Sequence, residues 1–268
     1  WNEAPLSGQE RATVRYPGEE EVQIAFRTAA NDSADKEALT LIDMILDNRT
    51  AGLINLNLNQ QQKVSNAGSS PMFLNQAGVQ YLYGTPKQDQ SLEEVEQLLL
   101  EQLTAVKAGE FEDWIISAIV NDFKKSAKVS QEFNTARVSM MRQSFIEGSD
   151  WDYSIAELDR MEQLTKQDVI DTANKYFGDD YVAVYRIDEQ HEIPPVAKPQ
   201  IDPIIIDSSL QSTFAANILA MPYSEIEPVF VEVDKDYRLI EFADGVELYY
   251  APNPLNDLFT FSVSIDVG

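Results

Sequence analysis

The stretch 78–109 passes from an alternating to a helical spacing of hydrophobic residues. At 79–83, Val79, Tyr81 and Tyr83 alternate with Gln80 and Leu82. This period of two predicts a β-strand. An S-x-x-E capping box then opens at Ser91, ahead of hydrophobic residues that recur every three or four positions. The second part therefore predicts an amphipathic helix that ends at Gly109.

The same two spacings predict the other elements before residue 188. Predicted strands cover 12–16, 22–26, 63–74 and 181–185. Predicted helices cover 34–48, 53–58, 111–145, 151–162 and 165–177, the last opened by a second capping signature at Thr165 and Asp168. We expect Gly68 and Pro71 to interrupt the third strand, and the longest helical tract to break near 128–132. Together these elements predict an α+β fold, in which helices cover one face of an antiparallel-rich sheet.

Proline becomes frequent after residue 187, and this change predicts a linker, because closely spaced prolines prevent long helices. Beyond it, Asp244-Gly245 is a hairpin signal between strands predicted at 238–242 and 246–250, and a further strand is predicted at 259–267. We therefore predict three parts. They are an α+β domain at 1–187, a proline-rich linker at 188–228, and the opening strands of a further domain at 229–268.

The chain of 268 residues carries a formal net charge of −25, and its 44% of hydrophobic residues suffices for a core. This charge argues against nucleic acid as a partner, because phosphate backbones require clustered Lys and Arg, and it disfavours anionic membrane surfaces. No uninterrupted hydrophobic run is long enough to span a bilayer. The acidic exterior is explained by solubility or, alternatively, by steering of basic peptides.

Residue types that support catalysis or metal binding are scarce. There is no cysteine, so disulfides, thiolate nucleophiles and cysteine-based metal sites are excluded. The single histidine, His191, is followed by Glu192 and then by prolines, which break the helix that an H-E-x-x-H zinc site needs. The carboxylate clusters at 19–21 and 179–180 follow no calcium-loop pattern and are interpreted as solvated strand ends. The residues alone thus predict no catalytic, cofactor-binding or metal-binding position and indicate a scaffold or binding module.

The order of the segments, however, resembles a known family. Residues 20–48 comprise a predicted strand, an acidic connecting segment and a predicted helix. They are followed by the segment AGLINLNL and then by the strand and helix of 78–109. The later segments are GEFEDWIISAIVNDFKK, FIEGSDW, LTKQDVIDTANKYF and YVAVYRI, and the chain closes with ADGVELYYAPNPLNDLFTFSVSIDVG. This order resembles the non-metal-binding domain of insulinase/pitrilysin-type zinc peptidases, followed by the strands that open each half of the two-half members.

The resemblance implies a longer protein, and the start at Trp1 rather than Met is expected for a processed or truncated chain. Such a peptidase has two halves that enclose a chamber, each made of two similar α+β domains. Residues 1–187 would be the second domain of the first half, 188–228 the link between halves, and 229–268 the start of the second half. Zinc is expected in the catalytic domain of the full-length protein, on an inverted H-x-x-E-H motif, and none is expected in this chain. The implied partners are the missing domains and, through the full-length protein, peptide substrates.

In many members of this family the second domain supplies an Arg and a Tyr, seven residues apart, to the opposite active site. In the stretch LNQQQKVSNAG these positions fall on Asn59 and Asn66, which supply neither a cation nor a phenol. The resemblance therefore implies a non-catalytic portion of a zinc-dependent endopeptidase, forming chamber wall and hinge and inactive by itself. The alternative is a scaffold or partner subunit of the same fold with no peptidase activity. The compartment is left open, and a periplasmic or otherwise exported bacterial protein is favoured over a cytoplasmic one.

Overall fold

The computed structural model of this protein describes residues 6–190, 196–203, 207 and 210–265. The chain divides into two compact units, Trp1–Glu192 and Ile193–Gly268, which are treated separately below. No helix among the described residues is both long enough and apolar enough to cross a membrane.

The first unit is built on a five-stranded sheet. Its strands are β1 (Glu10–Arg15), β2 (Glu21–Thr28), β3 (Asn66–Phe73), β4 (Gly78–Thr85) and β5 (Val182–Ile187). The strand order is β1-β5-β2-β4-β3, with β1 and β5 parallel and every other neighbouring pair antiparallel. The predicted antiparallel-rich α+β fold is thus confirmed, with one parallel pair that joins the first strand of the unit to its last.

Helices pack against one face of this sheet. They are α1 (Lys36–Leu46), α2 (Leu92–Ala108), α3 (Trp114–Ser130), α4 (Asn134–Glu147), α5 (Trp151–Ile155), α6 (Glu157–Glu162) and α7 (Lys166–Tyr176), and a π-helical turn covers Asn55–Asn59. Alternate residues of β2, Val22, Ile24 and Phe26, are buried under the helices, whereas Gln23 and Arg27 are exposed. The period-two pattern therefore identifies the core face of the strand correctly.

Both predicted capping boxes are present. Ser91 Oγ accepts from the backbone N–H of Glu94, whose carboxylate accepts from the N–H of Ser91. The same exchange joins Thr165 and Asp168 at the start of α7. Each box satisfies backbone donors that the first helical turn leaves without partners, so these starts are fixed locally.

The prediction that Gly68 and Pro71 interrupt the strand at 63–74 is wrong, because β3 is continuous from Asn66 to Phe73. β3 is an edge strand, where a proline need not donate to a second neighbour. Gly68 leaves room for a neighbouring side chain: a Cβ there would lie 2.4 Å from the hydroxyl oxygen of Tyr83 on β4, so the Tyr83 ring would have to move. The glycine thus lets the Tyr83 ring lie across β3.

The helical predictions need smaller corrections. The expected break near 128–132 is confirmed, because residues 131–133 separate two helices in the tract at 111–145, whereas the helix predicted at 151–162 divides at Ala156. The short helix predicted at 53–58 is largely a π-turn. These differences follow from tertiary packing, which hydrophobic spacing alone does not encode.

Among its described residues, the second unit has the short helix α8 (Thr213–Leu219) and a hairpin of β6 (Arg238–Ala243) and β7 (Val246–Tyr250). Gly245 has φ 75°, as the Asp-Gly turn signal requires, and the hairpin prediction is confirmed. The strand predicted at 259–267 is wrong for residues 259–265, which find no pairing partner among the described residues. Residues 266–268 lie outside the described part.

Candidate functional site

Asn59, one of the two positions that stand where many members of the resembled family carry the assisting Arg and Tyr, forms hydrogen bonds within the fold. Its Nδ2 donates to the carbonyl oxygen of Ala67 at 2.8 Å, and its Oδ1 accepts from the N–H of the same residue at 2.9 Å. Asn66, the second position, is exposed at the start of β3. The Asn59 amide is thus bonded at both ends to the backbone of Ala67 and is not available to polarise a substrate.

Glu96 forms the most extensive polar cluster of the first unit. It is 4% exposed and lies on α2 among the core residues. Its carboxylate accepts from Arg11 at 2.8 and 3.0 Å, from Gln9 at 3.0 Å and from the hydroxyl of Tyr181 at 2.9 Å. The hydroxyl of Tyr185 donates to Glu96 Oε2, whereas that of Tyr181 donates to Oε1. The Arg11 guanidinium lies over the Tyr185 ring. A buried charge with this many donors is stabilised and has no free lone pair aimed at a ligand.

This cluster holds its two phenols in the protonated state. Burial, the hydrogen bond to Glu96 and the charge of that carboxylate raise the pKa of Tyr181 to about 12. The same three causes raise the pKa of Tyr185 as well. Neither phenol is therefore prepared to act as a general base near neutral pH, and the cluster ties β1 and β5 to α2.

Asp43 forms a second buried polar group between α1 and the sheet. Its Oδ1 accepts from the Ser69 hydroxyl at 2.6 Å and from Gln80 Nε2 at 2.7 Å. Burial raises the pKa of Asp43, and the nearby charge of Asp47 acts in the same direction. Gln80 is fully buried, and its Oε1 has no hydrogen-bond partner. The arrangement links α1, β3 and β4, again as structural support.

A third buried carboxylate, Glu37 on α1, is paired with Arg160 on α6. The Arg160 Nε donates to Glu37 Oε1 at 2.9 Å. A terminal nitrogen of the same guanidinium donates to that oxygen as well. The guanidinium stacks 3.6 Å from the centre of the Tyr153 ring and donates to the Tyr153 carbonyl. These contacts fix the short helices α5 and α6 against α1.

The described residues do not fit zinc. They contain no group of three or more His, Cys, Asp or Glu side chains close enough to hold a metal ion. The three buried carboxylates stand apart, and each is committed to donors from the protein, whereas a zinc site needs three or four converging ligands. His191 lies outside the described residues.

Two open grooves border the N-terminal part of α3. One, of about 680 Å³, is lined by apolar side chains and three carboxylates: Leu53, Leu56, Phe111, Trp114, Ile115, Glu110, Glu112 and Asp113. The other, of about 390 Å³, lies between α3 and the start of α7. Lys166 borders both and is bonded to the Phe111 carbonyl at 2.6 Å and to Asp113 at 2.8 Å.

Sequence reasoning missed Glu37, Asp43 and Glu96, although a signal was available. Glu96 lies four residues after Leu92 and three before Leu99, and Asp43 lies between Leu39 and Leu46 in the same way. A carboxylate inside an apolar helical stripe indicates a buried, partnered charge. Their partners could not be identified, since Arg11 and Glu96 are 85 residues apart.

Comparison with known sequences identifies part of the first unit. Residues 4–123 match the family described as "Peptidase M16 inactive domain". A search of curated protein sequences finds no match.

Comparison with solved structures shows the same fold at low sequence identity. A protease from Helicobacter pylori superposes with a TM-score of 0.65 at 19% identity, covering 69% of this chain and 45% of that one. The inactive peptidase domain of a candidate zinc protease from Bordetella parapertussis gives 0.58 at 16% identity, covering 67% of this chain and 98% of that one. The periplasmic protease PqqL from Escherichia coli gives 0.54 at 13% identity, with coverages of 67% and 21%. This chain thus spans less than half the length of the Helicobacter protease.

Proposed function

We propose that this chain, whose residues 4–123 match the peptidase M16 inactive-domain family as its segment order predicts, is the non-catalytic portion of a zinc-dependent endopeptidase. It forms part of the wall of a chamber in which peptides are hydrolysed. Residues 1–187 are the non-metal-binding domain, 188–228 the link between two halves, and 229–268 the start of the second half. The zinc and the catalytic residues belong to other parts of the longer protein.

The observation that carries this proposal is the double hydrogen bond of Asn59 to Ala67. The position that in many family members supplies an arginine to an active site here supports an edge strand. The buried carboxylates support the same conclusion, because each is neutralised or saturated by residues of its own fold. A domain arranged in this way contributes surface and rigidity rather than acid–base groups.

The test is metal analysis and peptidase assay of the purified chain, beside a longer polypeptide from the same gene that contains a zinc domain. We expect no stoichiometric zinc and no hydrolysis of fluorogenic peptides by the chain alone, and both from the longer polypeptide. One tightly bound zinc per chain would refute the proposal.

The second candidate is a scaffold or partner subunit of the same fold. The saturated polar clusters fit it equally well, since they concern this domain and not the rest of the gene. An inverted H-x-x-E-H motif in the remainder of the polypeptide supports the peptidase, and its absence from both halves supports the scaffold. A periplasmic or otherwise exported location is part of the proposal, on the likeness to a periplasmic protease. Cell fractionation tests it directly.

A further inference from the structure

Helix α3 keeps one face exposed along its whole length. Ile115, Ile116, Ile119 and Val120 are buried on the opposite face. The exposed face carries Trp114, Ser117, Ala118, Asn121, Lys125 and Lys128. Trp114 is 59% exposed, which leaves one of the largest apolar side chains of the unit largely in water. An exposed tryptophan beside small residues is a feature that interfaces favour.

The two ends of this face carry opposite charges. Glu110, Glu112 and Asp113 precede the first turn of α3. Lys125 and Lys128 lie on this face in the last turns, in a chain whose net charge is −25, whereas Lys124 lies off this face and pairs with Glu162 at 2.7 Å. Two such helices placed in parallel would bring like charges together, whereas an antiparallel pair sets each acidic end against a basic one.

The apolar groups of the face are distributed in the same complementary way. At the acidic end lies the groove of about 680 Å³, which Leu53, Leu56 and Phe111 help to line. At the basic end, Val129 is 42% exposed and Phe133 is 60% exposed. The groove borders the first turn of α3, whereas Val129 lies in its last turn and Phe133 just beyond it, so the two apolar sites lie at opposite ends of the face.

We propose that α3 packs antiparallel against α3 of a second copy of this chain, on a two-fold axis that passes near Asn121. Position 114 of one copy then faces position 128 of the other, and position 117 faces 125. Lys128 lies over the Trp114 ring of the second copy and near its Glu112, and Phe133 enters the apolar groove. Ser117 and Ala118 at the centre allow the helices to approach closely. In a two-fold interface the same surface of each copy contacts the other copy, so that surface must carry both partners of every contact. This face does, because it has an acidic and a basic end, and a groove and the side chain that fills it.

Sedimentation equilibrium of the full 268-residue chain, at moderate salt to screen its net charge, measures the association. We expect a reversible dimer that Trp114→Ala weakens about tenfold or more, as truncation of a central interface tryptophan does. Trp151→Ala, which removes a second exposed tryptophan outside this face, should leave the dimer unchanged. Lys128→Glu should weaken the dimer, and adding Glu112→Lys should restore it.

Cysteine crosslinking tests the orientation, because the chain contains no cysteine of its own. Asn121→Cys should form a disulfide-linked dimer under mild oxidation, whereas Thr104→Cys, exposed on α2, should not. A mixture of Ser117→Cys and Lys125→Cys chains should crosslink more than either variant alone. A chain that stays monomeric, or crosslinking at position 121 no faster than at 104, would overturn the proposal. A dimer whose association is unchanged by Trp114→Ala would also overturn it. So would a mixture of Ser117→Cys and Lys125→Cys chains that crosslinks no more than either variant alone.

Discussion

Asn59 bonds Ala67 as a neighbouring strand would, through both the N–H and the carbonyl group of that residue. Ala67 belongs to β3, which lies at the edge of the sheet. An exposed edge with unpaired backbone groups is a site for unwanted strand pairing. The Asn59 amide therefore satisfies this part of the edge from within the unit.

We expect Asn59→Ala to lower the free energy of unfolding by about 1–3 kcal/mol, because a buried donor and a buried acceptor of Ala67 lose their partners. Urea denaturation followed by circular dichroism measures the change. Asn66→Ala is the matched control at an exposed position and should stay within about 0.5 kcal/mol of the parent. Equal effects of the two variants would show that the double hydrogen bond contributes nothing special.

Glu96→Gln should lower the pKa of Tyr181, now about 12, towards the ordinary value, because the charge that holds the phenol protonated is removed. The ionisation of Tyr185 should move in the same direction. Ultraviolet absorbance of phenolate during an alkaline titration measures both, with circular dichroism verifying that the chain stays folded. Glu101→Gln, an exposed change on the same helix, is the control. An unaltered phenolate curve for Glu96→Gln would contradict the structural role of this carboxylate.

Asp43→Asn should become increasingly stabilising as pH rises. The pKa of Asp43 is raised by burial, so its ionised form is disfavoured in the folded state. Below the ordinary pKa of about 4, the Asp43 carboxyl is neutral and its contribution to the free energy of unfolding is fully present. This contribution is lost as the pH rises through the raised pKa of the folded state. An asparagine Oδ1 still accepts from Ser69 and Gln80. Urea denaturation at pH 3.5 and pH 7 should show a gain in unfolding free energy at the higher pH only. A loss at pH 7 would mean that the charge itself is needed.

Ser91→Ala should cost about 1 kcal/mol of unfolding free energy, because the first turn of α2 loses the acceptor for the Glu94 N–H. Ser126→Ala, exposed within α3, is the control and should change stability by less than about 0.5 kcal/mol. Thermal or urea unfolding of the pair measures the difference. A cost for Ser91→Ala no larger than that for Ser126→Ala would contradict the role of the cap.

Local signals predicted the elements of this fold, but not the contacts between them. The capping boxes at Ser91 and Thr165 act within four residues, so the sequence shows them directly. The fate of Pro71 depends on whether its strand lies at an edge, which is a property of the whole sheet. The partners of Glu96 come from the first and last strands of the unit, far apart in the chain. The role of Asn59 likewise depends on the path of β3, which no spacing rule describes.

The pairing of β1 with β5 has a consequence for synthesis on the ribosome. Residues 10–15 have their partners at 182–187, so the sheet stays open at this side until nearly the whole unit has been translated. At typical elongation rates the delay is about 10–30 s. During that interval the backbone groups of residues 10–15 that later pair with β5 have no partner in the sheet.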